Sequence, residues 1–451
     1  MIDSQTALDR CAQLLDAARA AGADAADAVA SAESSEGISV RLGKLEDVER
    51  SEGEDIGLRV FVGRRSASVN TSDFSKAAFT ELAERAVAMA RLAPEDPYAG
   101  LVGVEDLAGS GIDAAALDLD DTGEPSPESL RERAIAAEDV ARATPGITNS
   151  QVSAASFGRS VMALATSNGF SGSYSGSSHA LYCAVIAGEG GDMQTDSEYR
   201  VARHFEDLPD PEEIGRIAGE RTVAKLNPAS MPSSKMPVIF DRRMGGSLIG
   251  HLIGAMSGSS VARKGSFLLG HEDEELFAKG IRIVEDPHKL RGVRSRPFDG
   301  EGVATRKRAL VESGKITGWL TNYASAQQLG IGLTGHAGRG SGGAPGISVS
   351  NIDLIPGSIS RDAMIGAIDD GVLVTEMVGM GVNEVTGDYS RGAGGFRIRN
   401  GEIAEPVAEF TVAGNLLEMF AAITAADDLE DYRGINVPTL RIDGMTVAGD
   451  G

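Results

Sequence analysis

The sequence predicts an α+β fold: N-terminal segments in which helices and strands follow one another, then a β-rich C-terminal domain with a buried, glycine-striped helix. Three observations point there. Glycine accounts for 57 of 451 residues, about twice its usual share, which favours tight turns and strands over a helix bundle. Along the chain the apolar period switches repeatedly between the helical and the strand repeat. Near residue 240 a short apolar strand runs into a helix whose Leu248, Leu252 and Met256 repeat at every fourth position, with Ile249 and Ile253 beside them. Gly246, Gly250 and Gly254 form a second stripe on that helix. Each glycine costs roughly 1 kcal/mol relative to alanine inside a helix, so three at one spacing imply a purpose: close packing against another element, or a site.

Taken in order, residues 4–21 read as an amphipathic helix, with Ser4 as a candidate cap and Gly22 just past its end. Strand-like segments follow at 27–32, 37–49 and 56–70. In the last, Ile56, Leu58, Val60 and Val62 share one face. A helix over 74–92 places Phe79, Leu82, Ala86 and Met89 together and stops at Pro94. The stretch 93–126 is rich in Pro, Gly and Asp and lacks periodicity. A helix at 127–143 opens a second unit of Ser/Gly-rich strands between 147 and 201, of which 181–186 is the most apolar. Asp210-Pro211-Glu212-Glu213 combines a cap, a proline at the first helical position and two acids near the positive helix end.

After the Pro/Ser-rich boundary 228–237 come the striped helix and a long β-rich tract. Ser313-Gly314 and Asn400-Gly401 mark hairpin turns. Helices are expected at 323–329, 361–368 and 413–425, and strands at 372–377 and 439–442. The division predicted is an N-terminal α+β domain (1–95), a linker (96–126), a central α+β domain (127–229) and a C-terminal β-rich domain (230–451).

Charge and composition exclude several functions. A net charge of −24 repels phosphate backbones, so nucleic-acid binding is not expected. Arg306-Lys307-Arg308 reads as a solvated strand face. No apolar run approaches the ~20 residues that span a bilayer. The N-terminus MIDSQTALDR has neither the basic nor the apolar region of a secretory leader, so a cytoplasmic location is expected. Cys11 and Cys183 both fall on apolar stripes and read as small core residues, without a disulfide framework.

Candidate chemistry is sparse. None of the six histidines lies four or five residues from another, so no helical two-histidine zinc site can form from sequence neighbours. His271-Glu272 begins a zincin-like motif that Glu275, Leu276 and Phe277 fail to complete. The glycine-rich GHAGRGSGGAPG, 335–346, lacks the Gly-Lys-Ser/Thr ending of a P-loop; it reads as a loop at a cleft edge or a long turn. No serine sits in a nucleophile elbow. The polar tract GVNEVTGDYSRGAGGF, 381–396, suits either a capped turn or a wall facing a ligand cleft.

The runs DGEGVATRKRALVESGKITGWLTNYASAQQLG, TGHAGRGS, VTEMVGMGVNEVTGDYSRGAGGFRIRNGEIAEPV and AGNLLEMF resemble the TldD/PmbA family, over essentially the whole chain. That family joins zinc peptidase subunits (TldD) to sister subunits (PmbA, or TldE), and the pair forms a heterodimer that degrades or processes peptides. The TldD branch carries His-Glu-x-x-x-His on a helix shortly before an Arg-Lys-Gly segment, plus a C-terminal cysteine ligand. Aligned on Arg263-Lys264-Gly265-Ser266, this chain has Gly250, His251 and Ala255 at the motif positions, and no cysteine follows Cys183. The resemblance is therefore to the PmbA/TldE branch.

It implies a subunit without zinc ligands and not catalytic alone, with zinc in a TldD-like partner and an unfolded peptide as substrate, held by strand addition. A homodimer is left open. Arg263, Asn383, Thr386, Asp388, Ser390 and Arg391 are the candidate peptide-cleft residues; no catalytic or metal residue is assigned. The alternative is a non-proteolytic binding or regulatory protein, such as a gyrase or toxin–antitoxin modulator. A third reading, a self-sufficient hydrolase using a distributed site, would require zinc in the isolated chain.

Overall fold

Two helix–three-strand–helix units share one sheet. The computed structural model describes residues 2–109 and 114–449, so residues 110–113 of the expected linker and the last two residues lie outside it. The first unit is α1 (Ser4–Ala20), β1 (Ala25–Arg41), β2 (Lys44–Val62), β3 (Arg65–Thr71) and α2 (Lys76–Leu92). The second repeats that order: α3 (Pro127–Ala143), β4 (Ile147–Thr166), β5 (Ser171–Ala187), β6 (Gln194–Ala202) and α4 (Pro211–Ala224). The six strands lie in the order β3-β2-β1-β4-β5-β6. The units meet where β1 pairs antiparallel with β4, from Asp27↔Thr166 to Val40↔Ser153.

Side-chain alternation explains how one sheet serves both units. Even-numbered residues of β1 face the helices: Ala26, Ala28, Ala30 and Ala32 pack with α1 and α2, and Ile38 and Val40 with α3 and α4. Small alanines on the strand let the α1–α2 pair sit close to the sheet. Cys11 and Cys183 belong to these two cores, and burial pushes both thiols up to about 12, so neither is poised as a nucleophile. Caps are local: Asp3 accepts from the Thr6 amide at 2.7 Å and takes the role expected of Ser4. Ser126 and Asp210 start α3 and α4, each followed by proline.

Two expectations are corrected here, the first being that the strand read over 56–70 is two strands, β2 and β3, joined by a turn at Gly63-Arg64. The strand read over 37–49 is broken by a hairpin turn at Leu42-Gly43, both with positive φ, 53° and 74°. Leucine in that conformation gives no sequence signal; the turn is fastened from outside. Glu138 of α3, wholly buried, accepts from the Leu42 and Gly43 amides at 2.7 Å each. Glu138→Ala is expected to cost about 1–3 kcal/mol, the penalty for orphaning such donors, read as a lower urea midpoint. An unchanged midpoint would mean that the turn holds itself.

The C-terminal segment is built on a ring of five paired strands: β7 (Ser234–Phe240), β14 (Asp370–Val378), β15 (Asp388–Arg399), β16 (Glu402–Asn415) and β19 (Leu440–Ala448). β7 pairs with β14 and β19, and β19 pairs back to β16, which closes the ring; β17 (Ile423–Ala425) adds at β19. A second sheet runs β10 (Lys315–Ile316), β9 (Arg308–Glu312), β8 (Ile283–Asp286), β13 (Asn351–Leu354), β18 (Ile435–Asn436). One hydrophobic core joins both, from Val238 and Phe240 through Ile283, Leu310 and Ile352 to Phe410 and Phe420. The hairpin turns at Ser313-Gly314 and Asn400-Gly401 occur as the sequence indicates. The helix expected over 413–425 is shorter. Gly414 and Asn415 still pair with Tyr389 and Asp388 in β15, and α9 covers only Leu416–Ala422.

The glycine-rich loop, containing β11 (Ala337–Gly338) and β12 (Gly346–Ile347), docks on the sheet face opposite α1–α4. Arg339 at its centre is buried against Asp27, which also accepts from Arg59 at 2.9 and 2.5 Å. Glu301 lies 3.8 Å from Arg59 and accepts from the Tyr323 amide at 2.7 Å. At Gly57 a Cβ would stand 2.0 Å from the Ser341 carbonyl oxygen, so only glycine permits this approach.

Candidate functional site

The striped helix is α5 (Arg242–Met256), which follows β7 directly and is capped by Asp241, whose side chain accepts from the Arg243 amide at 3.0 Å. Leu248, Ile249, Leu252, Ala255 and Met256 enter the core. The glycine face behaves differently from the buried helix expected. Gly250 and Gly254 are exposed, and a Cβ at either would meet nothing within 4 Å. The helix is therefore buried along its apolar stripe, where Gly245 packs against Val437 and Leu440, but close packing within this chain does not explain Gly250 and Gly254.

Of the three motif positions, the structure places Gly250 in the open, Ala255 in the core and His251 between them. The His251 ring stands edge-on to Tyr389, centroids 6.2 Å apart, and its Nε2 is buried with no hydrogen-bond partner. Burial pushes its pKa below the ordinary histidine value, the nearby Arg391 charge adds to this and Glu384 opposes it. The ring is thus held neutral at neutral pH. Burial pushes Tyr389 up to about 12, and its hydroxyl lies 3.8 Å from Met377 Sδ.

The residues from the polar tract form the tip of the β14–β15 hairpin. The Asn383 side chain accepts from the amides of Val385 (3.0 Å) and Thr386 (3.2 Å), and Thr386 Oγ1 donates to Asp388 at 2.7 Å. Hydrogen bonds from Thr386 and Asn415 hold Asp388 below the ordinary aspartate range. Asn383, Thr386 and Asp388 are thus together in one self-capped turn, exposed to solvent. Ser390 is exposed on β15, and Arg391 next to it approaches His251 and Tyr389. Arg263 ends α6 (Gly258–Ala262); its segment reaches the turn through the Phe267 amide, which donates to the Glu384 carbonyl at 2.8 Å. Exposed Val378, Met380 and Val385 flank the turn. Glu384 and Tyr389, inside the polar tract, and Met377, just before it, were not singled out as site residues by the sequence.

Zinc does not fit these residues. Its sites need three or four ligands, and the lone candidate here, His251, faces the Arg391 charge. Among the described residues no group of three or more His, Cys, Asp or Glu is placed to hold a metal.

Comparison with known proteins agrees with this architecture. Models of the PmbA/TldA metallopeptidase family match in three parts: domain 1 at residues 26–90, the central domain at 120–226 and the C-terminal domain at 233–449. The chain is 36% identical to metalloprotease PmbA of Escherichia coli O157:H7 over 428 residues, covering 94% of this chain and 92% of that one. It is 35% identical to the PmbA homologue of Haemophilus influenzae, over 92% and 90% of the two chains. The solved structure of TldE from Thermococcus kodakarensis superposes with a TM-score of 0.86 at 22% identity, covering 98% of this chain and all of that one, a likeness of fold. By its domain matches and these full-length relatives, the chain belongs to the PmbA/TldD metallopeptidase family, on the PmbA (TldE) branch.

Proposed function

We propose that this chain is the zinc-free subunit of a TldD/TldE-type metallopeptidase that acts in the cytoplasm on unfolded peptides, with the metal supplied by a TldD-like partner. The observation that carries this reading is the open face of α5. At the positions aligned with a zinc motif it offers a bare backbone at Gly250 and a single neutral histidine. Exposed glycines on an otherwise well-packed helix suit close approach by a second chain. The exposed turn 383–388, with Arg263, Ser390 and Arg391 beside it, is the proposed wall of the peptide cleft. Main-chain hydrogen bonds to an extended peptide would give affinity that does not depend on side chains.

The test is affinity capture of the tagged protein from its own cells, with mass spectrometry and zinc analysis. A stoichiometric partner bearing His-Glu-x-x-x-His, with zinc following that partner, is expected. A lone chain holding about one zinc per molecule would overturn the proposal, and a lone chain without metal would favour a non-proteolytic binding role.

A further inference from the structure

We propose that a cavity on the seam between the central segment and the C-terminal strand ring binds a small ligand with a carboxylate head and an apolar body. The cavity measures about 330 Å³, at the lower end of the range for small-molecule sites. Its walls differ in kind. Leu373, Phe396 and the exposed Ile403 supply an apolar surface, and Arg221, Arg243 and Arg361 supply positive charge.

The arginines are not equally free. Arg243 is committed to Asp196 at 2.9 Å and Asp241 at 3.2 Å. Arg221 is held by Glu198 through one Nη. The side chain of Arg361, the first residue of α8 (Arg361–Gly366), makes no hydrogen bond or ion pair among the described residues. Of the acids lining the cavity, Asp196 and Asp241 are taken by Arg243, and Glu220 is taken by Arg216 at 2.8 Å. One free guanidinium and part of a second therefore remain without a negative partner.

Two further observations agree. Thr375 also lines the cavity; it is 8% exposed and its hydroxyl is buried with no partner. It sits where the register of β14 against β15 slips between Val374 and Glu376, and such bulges re-aim side chains beside binding sites. Burial and the Arg243 charge push Arg221 down to about 10, despite Asp241 and Asp196. Arg361 and part of Arg221 thus line the cavity short of negative partners, which a bound anion would supply. A carboxylate suits better than a phosphate dianion, because three carboxylates already line the same space. A planar carboxylate also matches a guanidinium fork, and the apolar wall takes the remainder of the molecule. A free acid or the C-terminal residue of a peptide both present this chemistry.

Calorimetric titration of the full chain with N-acetyl-L-leucine and with its amide tests the proposal. The acid should bind and the amide should bind at least about tenfold more weakly. Arg361→Gln, a partly exposed position with no partner to lose, should weaken the acid about tenfold or more without changing thermal stability. Thr375→Val should weaken it less. A longer peptide ending in leucine that binds as tightly as the acid would identify a peptide end as the source, and its exclusion would identify a free acid. No binding of the acid at about 10 mM, equal binding of acid and amide, or unchanged binding in the Arg361 variant would overturn the proposal.

Discussion

Asp27→Asn is expected to lower the stability of this chain by about 3–5 kcal/mol, the cost of leaving buried charge uncompensated. Asp27 is 2% exposed and stands between Arg59, on its own sheet, and Arg339, on the glycine-rich loop of the C-terminal segment. Burial alone would raise its pKa, but the Arg339 and Arg59 charges outweigh burial and hold it below the ordinary aspartate value. Its contribution is therefore present above the unfolded aspartate pKa and is lost as the solution is acidified. Removing the charge strands two buried guanidinium groups and should loosen the docking of the loop. Urea unfolding at neutral pH gives the measurement, with Asp55→Asn as control. Asp55 contacts the same loop through Ser341 at 2.5 Å but is partly exposed, so its loss should cost about 1 kcal/mol or less. Equal midpoints for wild type and the Asp27 variant would refute the assignment.

The opposite result is expected from Glu301→Gln. Burial pushes this carboxyl from 4.5 up to about 7, against the pull of Arg59 and the Tyr323 amide, and Asp299 and Asp27 push the same way as burial. A carboxyl with a raised folded-state pKa favours the folded state while protonated. That contribution is full below the unfolded value of 4.5 and is lost as pH rises through about 7. Between pH 5 and 8 the wild type should lose about 2.5 kcal/mol relative to the glutamine variant. Glutamine keeps the acceptor for Tyr323 and removes the titration, so the variant should be the more stable protein above neutrality and show a flatter pH profile. Denaturant unfolding across that range checks both slope and sign; parallel profiles would show that Glu301 does not titrate in this window.

Much of the fold was legible because its signals are local. The helix start at Asp210-Pro211, the Asn400-Gly401 turn and the alternation of Ile56, Leu58 and Val60 each act over a few residues, and each appears in the structure. What was not legible is nonlocal. The Leu42-Gly43 turn depends on Glu138, 96 residues away, and nothing in its own residues announces it. The Asp27–Arg339 contact crosses most of the chain, so the glycine-rich loop read as a turn or a cleft edge instead of a fastening. At the candidate site, His251 was singled out by alignment alone. Its neutral state comes from burial, with Tyr389 against the ring, and from the Arg391 charge, both residues on a strand more than a hundred residues on, which periodicity cannot supply.

The shared sheet has a consequence for the order in which the chain folds. The β1–β2 and β4–β5 hairpins bring together residues close in sequence, but the central β1–β4 pairing joins Val40 to Ser153 and Asp27 to Thr166. The strand ring is more distant still: β7, at residues 234–240, pairs with β14 near 372 and with β19 near 440. Closing such long loops is entropically costly and slow. During synthesis the first unit therefore waits with the inner edge of β1 unpaired until the second emerges. The striped helix gains its full core only when the last strand of the chain is in place. The exposed edge of β1 in that interval is the point at which a nascent chain would be vulnerable to mispairing with its neighbours.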